Sequence, residues 1–128
     1  MIALDTSALI EIAIGAERAN DCRNVLMQAD RLIVSAATVT EMLIVAFGRS
    51  AEPQLRAVLD GFGIEVVPLT EARAKAAAAT YRRFGKGWHA AGLNFGDCFA
   101  YALAKEHHCP LLFVGDDFAK TDIEAALA

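Results

Sequence analysis

Cysteine is scarce in this 128-residue chain. Cys22, Cys98 and Cys109 make an odd number with no C-x-x-C pair, which supports neither a disulfide framework nor a zinc site. Buried free thiols are the expectation. His107 and His108 are adjacent, not spaced i, i+4, so they form no helical metal pair and suit surface or capping positions. No apolar run approaches the roughly 18 residues of a spanning helix, so no membrane association is expected. The start, Met1-Ile2-Ala3-Leu4-Asp5, lacks a basic segment followed by an apolar one. No secretory signal is visible, and a cytoplasmic protein is the expectation. Repeats, linkers and low-complexity tails are also missing.

What is present is apolar material. At 55% apolar and 22% charged, the chain can build one packed core, and its length fits a single domain over 1–128. The net charge of −4 argues against simple charge-driven binding of nucleic acid, but a local basic patch remains compatible with it. Charge is unevenly spread. Residues 1–71 hold ten acids and five bases, and residues 97–128 hold six acids and two bases. Between them, residues 72–96 carry Arg73, Lys75, Arg82, Arg83 and Lys86 and no acid.

Apolar runs at 2–4, 32–34, 64–67 and 111–114 read as buried strands. Helical stretches are expected from Thr6 or Ser7 to about 14, at 17–29, at 36–47, from about Pro53 to 61, from Thr70 to Arg83, and from Asn94 to about 106. Gly15 and Gly48 stop two of them, and Gly85 suits the position after a third. Strands alternating with helices indicate an α/β fold with a mostly parallel sheet.

Three acids stand where charge is unexpected. Asp5 is the only charged residue in 1–10, Glu41 the only one in 35–48, and Asp97 the only one in 94–104. A lone carboxylate in an apolar segment must be capped, paired or bound to something. Asp5 and the Asp116-Asp117 pair fall at the carboxyl ends of strands, the edge where open α/β sheets bind ligands. Glu41 shares a helix face with Ala37, Ile44 and Val45 and should point inward. Gathered carboxylates repel one another unless a cation joins them. All-oxygen ligands suit Mg²⁺, or alternatively Mn²⁺, and such an ion suits a phosphate substrate and an attacking water. Each acid also has a plainer reading. Asn94-x-x-Asp97 is a helix cap, Thr38-x-x-Glu41 matches a capping box, and Asp5-Thr6-Ser7 makes a turn. The metal site is favoured on the set.

The basic island has two readings as well. Arg82-Arg83 suits the negative end of a helix dipole. The continuation Phe84-Gly85-Lys86-Gly87-Trp88-His89 adds a cation and rings on a loop, which suits single-stranded nucleic acid.

These residues together resemble PIN-domain ribonucleases of the VapC toxin type. The matching pieces are Asp5-Thr6-Ser7-Ala8-Leu9, Glu41, Phe84-Gly85-Lys86-Gly87, the stretch from Leu93 to Ala102, and Gly115-Asp116-Asp117-Phe118 through Thr121-Asp122. They follow family order along nearly the whole chain, and the stretch around Asp97 is the most specific. The resemblance implies a three-layer α/β/α sandwich and a metal-dependent endoribonuclease that cleaves RNA with a metal-activated water. It also implies a cognate antitoxin and a homodimer. The family's acidic cluster maps onto Asp5, Glu41, Asp97 and the Asp116-Asp117 pair. Asp116 is taken first as the last metal ligand; if Asp116 stands where relatives carry Asn, Asp117 replaces it. Thr6, Ser7 and Asn94 match supporting positions, and Arg82, Arg83 and Lys86 would guide RNA. Trp88-His89-Ala90 departs from the Arg-His-Pro common among close relatives, so one phosphate-facing cation is missing.

Two other functions deserve weighing. A phosphohydrolase of small phosphorylated molecules shares an Asp after the first strand but wants a second acid two residues on, where this chain has Ser7. A non-catalytic acidic-pocket signalling module wants an early acid pair and a lysine after a late strand, and Lys105 and Lys120 are poorly placed for that. Both leave the basic loop unused.

Overall fold

The computed structural model describes residues 1–127; Ala128, the last residue of the expected domain, lies outside the described residues. Among the described residues, four short strands form the sheet: β1 Ile2–Leu4, β2 Leu32–Ser35, β3 Glu65–Val67 and β4 Leu111–Leu112. All pairings are parallel, in the order β3-β2-β1-β4. The first strand therefore sits inside the sheet, with Ala3 opposite both Ile33 and Leu111.

Among the described residues, six helices join these strands: α1 Thr6–Ala13, α2 Ala19–Gln28, α3 Ala36–Gly48, α4 Glu52–Gly61, α5 Glu71–Phe84 and α6 Phe95–Glu106. Alternate strand side chains point to opposite faces, and the burial follows. Ala3, Ile33 and Leu111 join a core with Ala77 of α5 and Cys98, Leu103 and Ala104 of α6. Leu4, Val34 and Leu112 join a second core with Leu9 of α1, Leu26 of α2, Met42 of α3 and Leu55 of α4. Two cores on two faces make the expected α/β/α sandwich. Burying each large aliphatic side chain contributes about 1.5–3 kcal/mol.

Several local expectations need correction. Asp5, not Thr6 or Ser7, caps α1. Ser35 caps α3, so Thr38 lies inside the helix, fully buried, and the Thr38–Glu41 capping box does not form. Gly85 ends α5 with φ −67°, an ordinary value. Its lack of a side chain serves space instead, since a Cβ there would stand 2.3 Å from the Tyr81 carbonyl oxygen. The last strand is two residues long, and beyond it Val114 N–H donates to Ser7 Oγ and not to a neighbouring strand. Its outer edge is covered by the tail, where Leu111 N–H donates to Glu124 O at 2.9 Å and Ala126 N–H to Leu111 O at 2.9 Å.

The three cysteines are free and buried. His107 ends α6 and its Nδ1 lies 3.1 Å from Leu103 O. Among the described residues, no helix is long and apolar enough to cross a membrane.

Candidate active site

The carboxyl edge of the sheet gathers the solitary acids. Asp5 follows β1 directly and is only 4% exposed. Its Oδ2 accepts hydrogen bonds from Ser7 N–H at 3.0 Å and from Ser7 Oγ at 2.7 Å. Ser7 Oγ in turn accepts from Val114 N–H at 3.0 Å, tying the start of α1 to the segment after β4. The other oxygen, Oδ1, is buried and has no hydrogen-bond partner among the described residues. An unsatisfied buried carboxylate oxygen is costly, so it marks a place for a donor or a cation.

Thr6 uses its hydroxyl on another acid, donating to Glu41 Oε1 at 2.5 Å. Glu41 is half-buried, though its expected face neighbour Ile44 is 67% exposed, so the helix face is less buried than its composition implied. The Glu41 carboxylate reaches α6 at Gly96. A Cβ on Gly96 would lie 1.8 Å from Glu41 Oε2. Asp97 is the next residue. It is 6% exposed and completes a reciprocal cap, with Asn94 N–H donating to Asp97 Oδ2 at 3.1 Å and Asp97 N–H to Asn94 Oδ1 at 2.9 Å. The cap reading and the buried-acid reading of Asp97 therefore hold together.

Electrostatics couple the acids of this edge. Burial lifts the Asp5 carboxyl to about 6, against the pull of the Ser7 hydrogen bonds, and the charges of Glu41 and Asp117 lift it further. Burial lifts Asp97 to about 7; the Asn94 backbone bond opposes this, while Asp5, Asp117 and Glu41 reinforce it. Asp117 thus joins the group. Asp116 lines a groove with Arg18, Phe113, Val114 and Phe118.

Gly96 and Val114 escaped the sequence reading. The signal for Gly96 was available, because glycine in the first turn of a helix costs about 1 kcal/mol relative to alanine and needs a reason. The backbone role of Val114 left no mark on residue type.

By chemistry the donor set suits a hard divalent cation: carboxylates only, one oxygen orphaned, and two carboxyls raised by burial and further by their acidic neighbours. Among the described residues, no three or more His, Cys, Asp or Glu side chains stand together in a group that could hold a metal ion as placed.

The basic island is partly spent on the fold. Arg73 makes a two-armed bond to Glu106 of α6, both contacts 3.0 Å. Lys75 pairs with Glu71 at 3.1 Å and Arg83 with Asp122 at 3.7 Å. Among the described residues, Arg82 and Lys86 are exposed and have no acidic partner. Lys86 lines an apolar cleft together with Asn94, Phe95 and Tyr81.

Known proteins are similar to this chain along its length. The PIN domain family matches residues 2–124. Ribonuclease VapC30 of Mycobacterium tuberculosis is 40% identical over 124 residues, covering 94% of each chain. The crystal structure of VapC20 from Mycobacterium tuberculosis, a sarcin-ricin loop cleaving toxin, superposes with a TM-score of 0.80 at 14% identity over 100% of both chains. A toxin–antitoxin complex from Klebsiella pneumoniae gives a TM-score of 0.70 at 19% identity, over 95% of this chain and 93% of that one. With Asp5 at the end of β1, Asp97 in the first turn of α6 and likeness running from end to end, the chain belongs to the PIN-domain family, among the VapC ribonucleases.

Proposed function

We propose that this protein is the ribonuclease toxin of a toxin–antitoxin pair, an endoribonuclease that cuts RNA at the pocket formed by Asp5, Glu41, Asp97 and Asp117. The observation that carries this is the buried Oδ1 of Asp5, without a hydrogen-bond partner among the described residues, on a carboxylate that feels the charges of Glu41 and Asp117. Support comes from the 40% identity to VapC30 over 94% of both chains.

The chain's own residues prepare the pocket. Ser7 fixes one oxygen of Asp5 and leaves the other free, Thr6 steers Glu41, and Asn94 holds Asp97 at the helix start. Mg²⁺ or Mn²⁺ held by Asp5, Glu41, Asp97 and Asp117 would neutralise the scissile phosphate and acidify water. Arg82 and Lys86 would receive flanking phosphates. Asp116 ranks behind Asp117 as a ligand because it lines the neighbouring groove.

An antitoxin partner follows from the toxin reading, since the similar Klebsiella pneumoniae structure is itself a toxin–antitoxin complex. A homodimer belongs to the same proposal. Ile44 and Phe47 of α3 and Phe95 of α6 are 67, 76 and 78% exposed, which is apolar surface for protein contact.

The test incubates the purified chain with mixed cellular RNA in Mg²⁺, in Mn²⁺ and in EDTA, and maps the cut ends. Discrete ends carrying 5′-phosphates, appearing only with a divalent ion, are expected. Intact RNA under all conditions would overturn the ribonuclease assignment, and equal cutting in EDTA would overturn the metal.

A further inference from the structure

We infer that Trp88 is a stacking platform for an unpaired base of the RNA, a role that rests on the ribonuclease reading and assigns one determinant of its substrate class. Trp88 is the one tryptophan of the chain, and it is 62% exposed. It is nevertheless held in place. Its Nε1–H donates to Arg82 O at 3.0 Å. Its ring meets Tyr81 edge to face, with centroids 5.2 Å apart at 82°. Tyr81 is itself anchored, donating its hydroxyl proton to Lys86 O at 3.0 Å.

The loop bearing Trp88 is tied down at its base. Lys86 N–H donates to Leu93 O at 2.9 Å and Leu93 N–H to Phe84 O at 3.0 Å. His89 packs edge-on against the buried Phe84, 5.1 Å between centroids. Leu93 directly precedes Asn94, the cap that holds Asp97. The loop therefore springs from the same short segment that positions an acid of the pocket.

An indole with its polar atom satisfied and one edge fixed presents apolar ring surface to water, already ordered. An ordered ring loses little entropy when a flat ligand covers it. Among the described residues its neighbours Arg82 and Lys86 lack acidic partners, so positive charge is available beside it, as a polyanion requires. A protein partner with an apolar surface would use the ring but leave the two cations unmatched. A nucleotide uses both, its base on the ring and its phosphates on the cations. Every base offers a π-face, so the platform selects unpaired nucleotides over paired ones and tolerates sequence.

Because Trp88 is the sole tryptophan, its fluorescence reports directly on the site. The full chain is titrated in EDTA with a short single-stranded oligoadenylate RNA, with an abasic strand of equal length, and with duplex RNA. Oligoadenylate should quench the emission, while the abasic strand and the duplex should not. The abasic strand should bind roughly 5- to 100-fold more weakly, the usual loss on removing a stacking contact. Trp88→Ala should lose the same factor for oligoadenylate and nothing for the abasic strand, and Trp88→Phe should retain most of the affinity. Equal affinity of wild type for the oligoadenylate and abasic strands, or equal quenching by duplex, overturns the platform without recourse to any variant. Cleavage of cellular RNA in Mg²⁺ by a protein that shows no quench overturns the platform and keeps the nuclease. A quench without cleavage overturns the nuclease reading and keeps the platform.

Discussion

The Glu41 carboxylate occupies the space that a side chain on Gly96 would fill, with Oε2 only 1.8 Å from where a Cβ would stand. Two helices that are far apart in sequence thus meet at an acid and a glycine, and the contact sets the distance between Glu41 and Asp97. Gly96→Ala should displace Glu41 and lower RNA cleavage at least tenfold, although the same change in an ordinary helix stabilises by about 0.5–1 kcal/mol. Glu41→Ala removes the obstacle, so Gly96→Ala added to it should recover that helix stabilisation. Denaturant unfolding of the four proteins measures it. Full cleavage by Gly96→Ala would show that the pocket adapts to the methyl group and that this contact sets nothing.

Asp97→Asn should abolish cleavage and, in EDTA near pH 4, before the buried carboxyl has to ionise, leave folding stability within about 1 kcal/mol of wild type. The amide oxygen can still accept from Asn94 N–H, so the cap survives while the charge is lost. Chemical denaturation together with an RNA cleavage assay separates the two roles. A variant that cuts at the wild-type rate would reduce Asp97 to a cap.

The fold was largely legible because its signals are local. The apolar run before Asp5, the glycine at 15 with φ +64° and the alternation of strands and helices each lie within a few neighbouring residues. The candidate site was legible as a set of acids but not as a geometry. The bond from Val114 N–H to Ser7 Oγ spans 107 positions, and the fit of Glu41 against Gly96 joins two helices. Neither leaves a pattern along the chain. The Ser35 cap was missed for a simpler reason: Ser35 also ends a strand, and Thr38 three residues on offered a competing motif. The partners of Arg73 and Arg83, Glu106 and Asp122, lie outside the basic island, so the island looked more available for RNA than it is.

Without a divalent ion, the protein should lose stability as pH rises from about 4 to about 7. Asp5 and Asp97 titrate near 6 and 7 when folded, above the roughly 3.9 of an unfolded aspartate. The folded state therefore holds protons that the unfolded state has released. Their contribution is complete below the unfolded value and is lost as pH climbs through the folded ones. Asp5→Asn and Asp97→Asn should each flatten this fall. Guanidinium unfolding in EDTA at several pH values gives the slope, and a wild-type protein that gains stability across this window would contradict the buried acids.

Millimolar Mg²⁺ or Mn²⁺ should raise the melting temperature, and more at pH 8 than at pH 5, because protons occupy the same carboxylates in acid. At 100 times Kd the linkage amounts to about 2.7 kcal/mol. Asp5→Asn should blunt the response and Asp116→Asn should leave it nearly unchanged, since Asp116 lines a different groove. Thermal scans check all three statements. A response lost with Asp116 and kept with Asp117→Asn would exchange the two residues' roles.

Replacing Arg82 and Lys86 by Ala should weaken RNA binding and flatten its salt dependence. Each phosphate contact on a single strand contributes roughly 0.7 to the log–log slope, so losing two should reduce it by about 1.4. Arg83→Ala should behave differently. Its guanidinium lies 3.7 Å from Asp122 and 4.5 Å from the centre of the Phe84 ring. Asp122 also accepts from Lys105 at 3.2 Å. Removing Arg83 therefore loosens one arm of a clasp between α5 and the C-terminal segment, an exposed pair worth up to about 1 kcal/mol, and leaves the RNA slope in place. Affinity for a short single strand at several salt concentrations, measured in EDTA so that the strand stays whole, distinguishes the cases. A slope that falls with Arg83→Ala but not with the Arg82 and Lys86 replacements would put the phosphate path on the Asp122 side of α5, away from the loop that carries Trp88.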